Sequence, residues 1–331
     1  MRIEGSQLLL ALLLTILVVS QFVYGSSTLT VTVMTDKETY NLGEDVNING
    51  TLTVPDWLVA IQVSYPPPYG ICVIRTRPTG HSLPNNWTVE ILQLYPSDEG
   101  GNPKDSFKRG TNAHFTIEWR NNDTVSRYIA IFVNLYYANN APFKAYSPAA
   151  GLLDPGESRG PMVFSVPIPS NAPIGTATIY ASALSGEPKD EGFAYCPEKS
   201  HSFIITATSS ATVMTATTES QTVNPASAEG TYNLTFHLPH TGGKIGNYTV
   251  NVSAVYEGQQ ATDSRTFEVI LLGDVNDDGK VELADLMLVI KYYGTTPSSP
   301  DWYPDADVNG DGKVELADLM LVIKHYGESI F

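Results

Sequence analysis

Oxygen donors recur at alternate positions in two stretches near the C-terminus. The first places Asp274, Asn276 and Asp278 at positions 1, 3 and 5 of a loop, Gly279 at 6, the backbone carbonyl of Lys280 at 7, Glu282 at 9 and Asp285 at 12. The second repeats the set with Asp307, Asn309, Asp311, Gly312, Lys313, Glu315 and Asp318. Glycine at position 6 permits the sharp turn, position 7 offers a main-chain oxygen, and position 9 acts through a water. Hard oxygen ligands at this spacing suit flexible Ca²⁺ better than octahedral Mg²⁺, so the expectation is two bound Ca²⁺ ions. Position 12 is Asp where an EF-hand has Glu, so its shorter arm must reach the ion from a helix that starts directly at the loop. Runs of Asp, Asn and Gly also make ordinary turns. The duplication, with an apolar run after each loop, favours the metal.

Those runs are the elements that must position the donors. Gly273–Gly294 returns as Ala306–Gly327 with three changes: Gly273/Ala306, Asp277/Gly310 and Tyr292/His325. Leu286, Val289, Ile290 and Tyr293 fall on one helical face, and Leu319, Val322, Ile323 and Tyr326 repeat it. The expectation is that these residues form the shared core of the two halves. Leu283, Met287 and Lys291 lie on another face, as do Leu316, Met320 and Lys324. That stripe either faces a partner or is buried by a domain this small.

With paired loops of this spacing, each followed by an apolar helix carrying a lysine and joined by a short Pro-containing linker, the segment from about 272 to 331 resembles a type I dockerin domain. The resemblance implies a small Ca²⁺-dependent module that plugs into cohesin domains on scaffold or cell-surface proteins. It also implies that loop positions 10 and 11 and a basic helix residue contact the cohesin. Here these are Leu283, Ala284 and Lys291, and Leu316, Ala317 and Lys324, with Met287 and Met320 alongside. Dockerins of cellulosomes often carry Ser-Thr at positions 10 and 11. The Leu-Ala pair departs from that, so the cohesin's identity does not carry over.

The charge pattern bounds the partners. Formal charge is −16 over 331 residues, and the segment 273–331 holds twelve Asp/Glu against four Lys. A chain this acidic is a poor nucleic-acid binder. Leu8–Val19 is apolar, follows Arg2 and precedes Val23-Tyr-Gly25, the pattern of a secretory signal too short to span a bilayer. Cleavage is expected after Gly25, with retention as an N-terminal anchor as the alternative. No second stretch is long and apolar enough to span, so the expectation is an extracellular, cell-surface-associated protein without a stable membrane span after cleavage. Asn49, Asn86, Asn122, Asn233, Asn247 and Asn251 head N-x-S/T triplets. Cys72 and Cys196 are the only cysteines, and in an exported protein two cysteines most often pair.

Between Ser26 and Ile270 the sequence alternates with period two, broken by Gly, Pro, Asn and Asp, as in Leu29–Val33, Tyr128–Val133 and Tyr248–Val255. That predicts a mostly β chain of antiparallel sandwiches, followed by the small helical tail. The terminal pieces are each short of a sandwich, whereas joined they reach ordinary size. The expected division is therefore a signal at 1–25, a host sandwich from 26–80 plus 207–270, a second sandwich at 81–206 inserted in it, and the tail at 271–331. Thr28–Leu52, and Gly230–Phe236 with Gly246–Val269, resemble the first and last strands of macroglobulin-like or bacterial Ig-like surface sandwiches. A Cys72–Cys196 bond would tie host to insert. Residues 207–229, rich in Thr, Ser and Ala, read either as a linker or, around Val213-Met-Thr215, as a strand.

No nucleophile elbow, zincin helix, P-loop or Cys/His metal spacing occurs, so no catalytic residue is expected. Glu90, Glu118, Asp123 and Glu157 read as surface acids. Tyr65, Tyr69, Trp87, Trp119, Tyr136 and Tyr137 serve either the cores or a sugar-stacking platform. The preferred reading is a secreted, non-catalytic protein that docks a cohesin partner through its tail, with sandwiches for structure, adhesion or ligand binding. A carbohydrate-binding or glycoside-hydrolysing component of a polysaccharide-degrading complex is the second reading, and a self-assembling fibre or sheath subunit the third.

Overall fold

The computed structural model describes residues 28–207 and 230–331. The signal segment through Gly25 and the stretch Val213–Thr215 lie outside the described residues. Among the described residues, alternating apolar and polar positions give sixteen strands, β1 to β16 in chain order, and two α-helices follow. In β3 (Asp45–Leu52), Val46, Ile48 and Leu52 turn inward while Asn49 and Thr51 face out. β15 (Gly246–Tyr256) does the same with Tyr248, Val250, Val252 and Ala254 inward.

Strands from both ends of the segment 31–270 share the first sandwich. One sheet runs β1 (Val31–Thr35), β3, β14 (Thr231–His237). The other runs β2 (Thr39–Asn41), β16 (Gln259–Ile270), β15, β4 (Leu58–Ser64), β5 (Ile71–Pro78). Asn233 pairs with Asn49, Val252 with Ile61, and Val269 with Tyr40, the last in a parallel ladder. Tyr40, Ile48, Ile61, Phe236, Tyr248 and Phe267 fill the core between the two sheets.

The intervening strands build the second sandwich among themselves. Its larger sheet runs β10 (Pro142–Leu153), β9 (Arg127–Tyr136), β12 (Gly175–Leu184), β13 (Lys199–Thr206), β7 (Ser106–Lys108). Its smaller sheet runs β11 (Ser158–Pro167), β8 (Asn112–Asn121), β6 (Val89–Ser97). Phe115, Ile117, Trp119, Ile131, Val133 and Phe203 fill this core.

The two sandwiches meet across β4 and β5 on one side and β9 and β12 on the other. Ala60, Ile74, Ala130, Phe132 and Leu184 form the apolar seam. Beside it the Arg75 guanidinium, 2 % exposed, donates to Glu198 from Nε at 2.8 Å and lies 3.4 Å from the Tyr180 ring centroid. Arg77 Nη1 donates to the same carboxylate at 2.8 Å, and the Thr76 amide at 3.1 Å. Burial would push the Glu198 carboxyl up, but the two guanidiniums hold it below the ordinary carboxylate value.

The expected Cys72–Cys196 bond is absent. Both thiols are free and buried, Cys72 in the first core and Cys196 in the second. Burial pushes each thiol up to about 12, which keeps both protonated and inert. The alternating pattern carried each cysteine inward with its own strand or loop, so they serve as small apolar core residues.

Candidate calcium loops and partner face

Each loop is organised by its own donors. In the first, Asp274 accepts from the amides of Asp278 (Oδ1, 3.1 Å) and Gly279 (Oδ2, 2.8 Å), and Asp278 Oδ1 accepts from the Lys280 amide at 3.0 Å. Asp307, Asp311, Gly312 and Lys313 repeat these contacts. Position 4 is left-handed in both loops, Asp277 at φ 57° and Gly310 at φ 71°. Asp and Gly both tolerate that region, which accounts for one of the three differences between the copies.

The helices α1 (Leu283–Lys291) and α2 (Leu316–Lys324) start where the loops end. Asp285 and Asp318, at the third helical position, are fully buried. Asp285 Oδ2 accepts from the Glu282 amide at 2.8 Å, and Oδ1 from Val275 and Asn276 at 2.8 and 3.2 Å. Each carboxylate thus joins the start of its loop to the start of its helix, where the helix dipole favours negative charge. Glu282 and Glu315 sit at the N-caps, exposed.

Leu271, Val275, Val281, Val289, Ala306, Val314 and Val322 are the buried apolar residues of the tail, and they join the first sandwich's core cluster. The tail carries an internal exchange of backbone bonds. Val281 pairs with Gly327 and Glu328 after the second helix, and Val314 with Gly294 and Thr295 after the first.

Among the described residues, none of the six loop carboxylates of Asp274, Asp278, Asp285, Asp307, Asp311 and Asp318 has a Lys or Arg partner. Burial raises the Asp274 carboxyl above its ordinary value, and the nearby charges of Asp285 and Asp278 add to the rise. Buried or crowded carboxylates with no counter-charge fit a cation. Among the described residues no three carboxylate, imidazole or thiol groups form a ready-made cage. The donor set that fits an ion therefore has to include the Asn276 or Asn309 amide oxygen and the carbonyl of Lys280 or Lys313. Such an ion would neutralise the loop charge and fix the backbone that starts each helix.

All eight residues expected at a partner face are exposed: Leu283, Ala284, Met287, Lys291, Leu316, Ala317, Met320 and Lys324. The core expectation needs correction. Val289 and Val322 are fully buried, but Ile290 and Tyr293 are each 53 % exposed, and Ile323 and Tyr326 are 51 % and 54 % exposed. The helices end at Lys291 and Lys324, so Tyr293 and Tyr326 lie past the last turn. The inward side is taken by Asp285, Leu286, Leu288 and Tyr292, with Tyr292 against Tyr303. Leu283, Met287 and Ile290, at i, i+4 and i+7, therefore make an exposed apolar stripe on α1 that α2 duplicates. That spacing was the signal for Ile290 and Ile323.

The six aromatics do not form one platform. Trp119 and Tyr136 are buried, Tyr65 packs on Tyr248, Tyr137 stacks on Phe143, and Tyr69 stands exposed. Trp87 packs against Trp57 and lines a polar cleft of about 550 Å³ with Asn85, Asn86, Thr88, Glu90, Asn122 and Asp123.

No curated protein matches the chain. Solved structures give slight likenesses. One is an alkylpurine DNA glycosylase of Pseudomonas fluorescens, at 12 % identity and TM-score 0.29, covering 37 % of this chain and 31 % of the glycosylase. Another is the C-terminal domain of wzt, at 12 % identity and TM-score 0.31, covering 45 % and 83 %. A β-glucosidase of Listeria innocua gives 10 % identity and TM-score 0.25, covering 36 % and 16 %. This chain thus spans about a third of the glycosylase and less of the glucosidase, and likenesses this slight inform neither fold nor function. The sequence itself is decisive only at its end: residues 272–326 match the family model described as the dockerin type I domain, and the tail of this chain is a type I dockerin domain.

Proposed function

We propose that this protein is a secreted, non-catalytic attachment protein whose dockerin tail binds two Ca²⁺ ions and docks a cohesin-bearing scaffold or cell-surface protein. In this reading residues 26–80 with 207–270 form a host sandwich, 81–206 an insert, and both serve structure, adhesion or ligand presentation. The observation that carries it is the duplicated exposed stripe, Leu283, Met287 and Ile290 with Leu316, Met320 and Ile323, directly after two loops whose aspartates have no Lys or Arg partner among the described residues. Apolar side chains half or more exposed at matched positions are what a partner would cover. The test is binding of the full chain to cohesin domains from its own organism, with calcium and with chelator. Binding should need calcium and should fall in the pair Leu283→Asp and Leu316→Asp while calorimetry shows calcium still bound. Undiminished binding by that pair sinks the assigned face.

The cleft at Trp87 favours a second reading, carbohydrate binding, because an indole amid amides and carboxylates is a sugar-like environment. Affinity for soluble polysaccharide without reducing-sugar release would support a binding module, and release would overturn the non-catalytic reading. Edge-to-edge assembly is less favoured. The outer strands β10 and β11 of the second sandwich both carry register breaks and prolines, which discourage pairing with another chain along those two edges.

A further inference from the structure

The two calcium loops share their side-chain donors but differ in what they touch. A Cβ on Gly312 of the second loop would meet nothing within 4 Å, whereas on Gly279 of the first it would lie 2.8 Å from Phe331 and 2.9 Å from Ile330. The chain after the second helix turns back over the first loop. Gly327 donates to the Val281 carbonyl, Val281 donates to the Glu328 carbonyl, and Ile330 donates to the Gly279 carbonyl at 3.0 Å. The other edge of the same short segment meets the first sandwich. Ser329 donates to the His240 carbonyl and Gly242 donates to the Ser329 carbonyl, each at 3.0 Å. Ser329 thus bridges Lys280 on one side and Thr241 on the other. Around this seam the Glu328 carboxylate lies 3.0 Å from His325 Nδ1 and 3.5 Å from His240 Nδ1, and it is 7 % exposed.

We infer that Ser329–Phe331 is an interaction surface whose partner is the chain's own first sandwich, and that an ion in the first loop, not the second, seats it. The inference rests on the calcium reading of the loops. The backbone from Gly279 to Val281 is both the seat of the C-terminal segment and part of the first loop, where Lys280 would offer its carbonyl to the ion. Calcium there fixes the carbonyl of Gly279 and the amide of Val281 in register for Ile330 and Glu328. Without the ion, the crowded loop carboxylates repel, the seat loosens, and the sandwich loses the C-terminal segment that bridges it to the first loop. Among the described residues the second loop has no such attachment, since the chain after the first helix ends its pairing with that loop at Thr295 and leaves toward the linker. Chemical near-identity of the loops therefore hides a mechanical difference.

The full chain carrying Thr241→Cys and Ser329→Cys tests this, because those residues are bridge partners and the native thiols are buried. Disulfide formation between them should be faster by about tenfold or more in calcium than in chelator. Added Asp274→Ala should remove that acceleration, and added Asp307→Ala should retain most of it. Equal rates with and without calcium, while calorimetry shows calcium bound, overturn the inference, as does equal loss in both loop variants. Calorimetry showing no bound calcium overturns the calcium reading and this inference with it. Asp274→Ala can unfold the whole tail, so a second variant lacks Ser329–Phe331. It should still bind calcium but lose the calcium-dependent compaction seen by X-ray scattering, and compaction that persists overturns the inference.

Discussion

Asp285→Asn separates the two roles given to the buried position-12 carboxylate. Asp285 has no exposed surface and accepts three backbone amides, from Glu282, Val275 and Asn276, at 2.8, 2.8 and 3.2 Å. Asparagine keeps one oxygen and replaces the other with a donor. With its oxygen toward Val275 and Asn276, the Glu282 amide faces an NH₂ group, and with the opposite orientation two amides do. The first arrangement wins, and one amide left without its acceptor costs about 1–3 kcal/mol. A domain this small shifts by about 4–8 °C per kcal/mol. The expected result is a lower helix melting temperature by far-ultraviolet circular dichroism in chelator, with a further loss in calcium as a charged ligand disappears. Asp318→Asn should behave alike, because Glu315 and Asn309 donate to it in the same way. An unchanged melting temperature in chelator, alongside weakened calcium binding, would refute the clasp argument and leave Asp285 as a ligand alone.

Glu198→Gln should destabilise the sandwiches by about 3–5 kcal/mol in urea unfolding, because it leaves buried Arg75 uncompensated; a loss below about 1 kcal/mol, the range of exposed pairs, would contradict the burial argument. Since the Glu198 carboxyl is held below its ordinary value in the fold, its contribution is present above the unfolded-state value and is lost as pH falls through the lowered one, so acid titration of the wild type should show a component missing from Glu198→Gln. For Asp274 the sign reverses: its raised folded value means the cost is present above that value and is relieved as pH falls through it. Without calcium, the wild-type tail should therefore lose less melting temperature on acidification into the carboxylate range than Asp274→Asn does, and with calcium acidification should lower it by proton competition; an equal acid loss in the two chains without calcium counts against the raised value. Finally, an aromatic disulfide reagent should find no reactive thiol in the native chain and two after denaturation without reductant; no thiol after denaturation would mean that Cys72 and Cys196 are bonded.

The dockerin was legible because its chemistry is local. Asp274 through Asp285 places every donor of one loop within a single short run, and the second copy confirms the pattern. The helix faces were only half legible. Periodicity groups Ile290 with Val289, but it cannot see that Asp285 takes inward space or that the helix ends before Tyr293. Cysteine count misled because parity carries no geometry, and Cys72 and Cys196 ride into different cores. Arg75 and Glu198 lie 123 residues apart, so no window of sequence joins them. Nor does any residue pattern announce that Ser329–Phe331 covers the first loop, because the backbone bond from Ile330 to Gly279 is open to every residue but proline, and the Ile330 and Phe331 side chains that lie against Gly279 are far from it in sequence.

The parallel ladder between β2 and β16 has a mechanical meaning. β2 lies near the start of the described chain and β16 leads into the dockerin, and they pair along Glu268–Ile270 and Thr39–Asn41, with the Glu268 amide donating to the Glu38 carbonyl at 2.8 Å. Tension between an anchored dockerin and the N-terminal strands would draw these two strands past each other lengthwise. Their hydrogen bonds then share the load and must fail together instead of unzipping one at a time. The second sandwich, entered after β5 and left before β14, hangs to the side of that line of force. Whatever it holds would stay undeformed while the rest of the chain bears the pull.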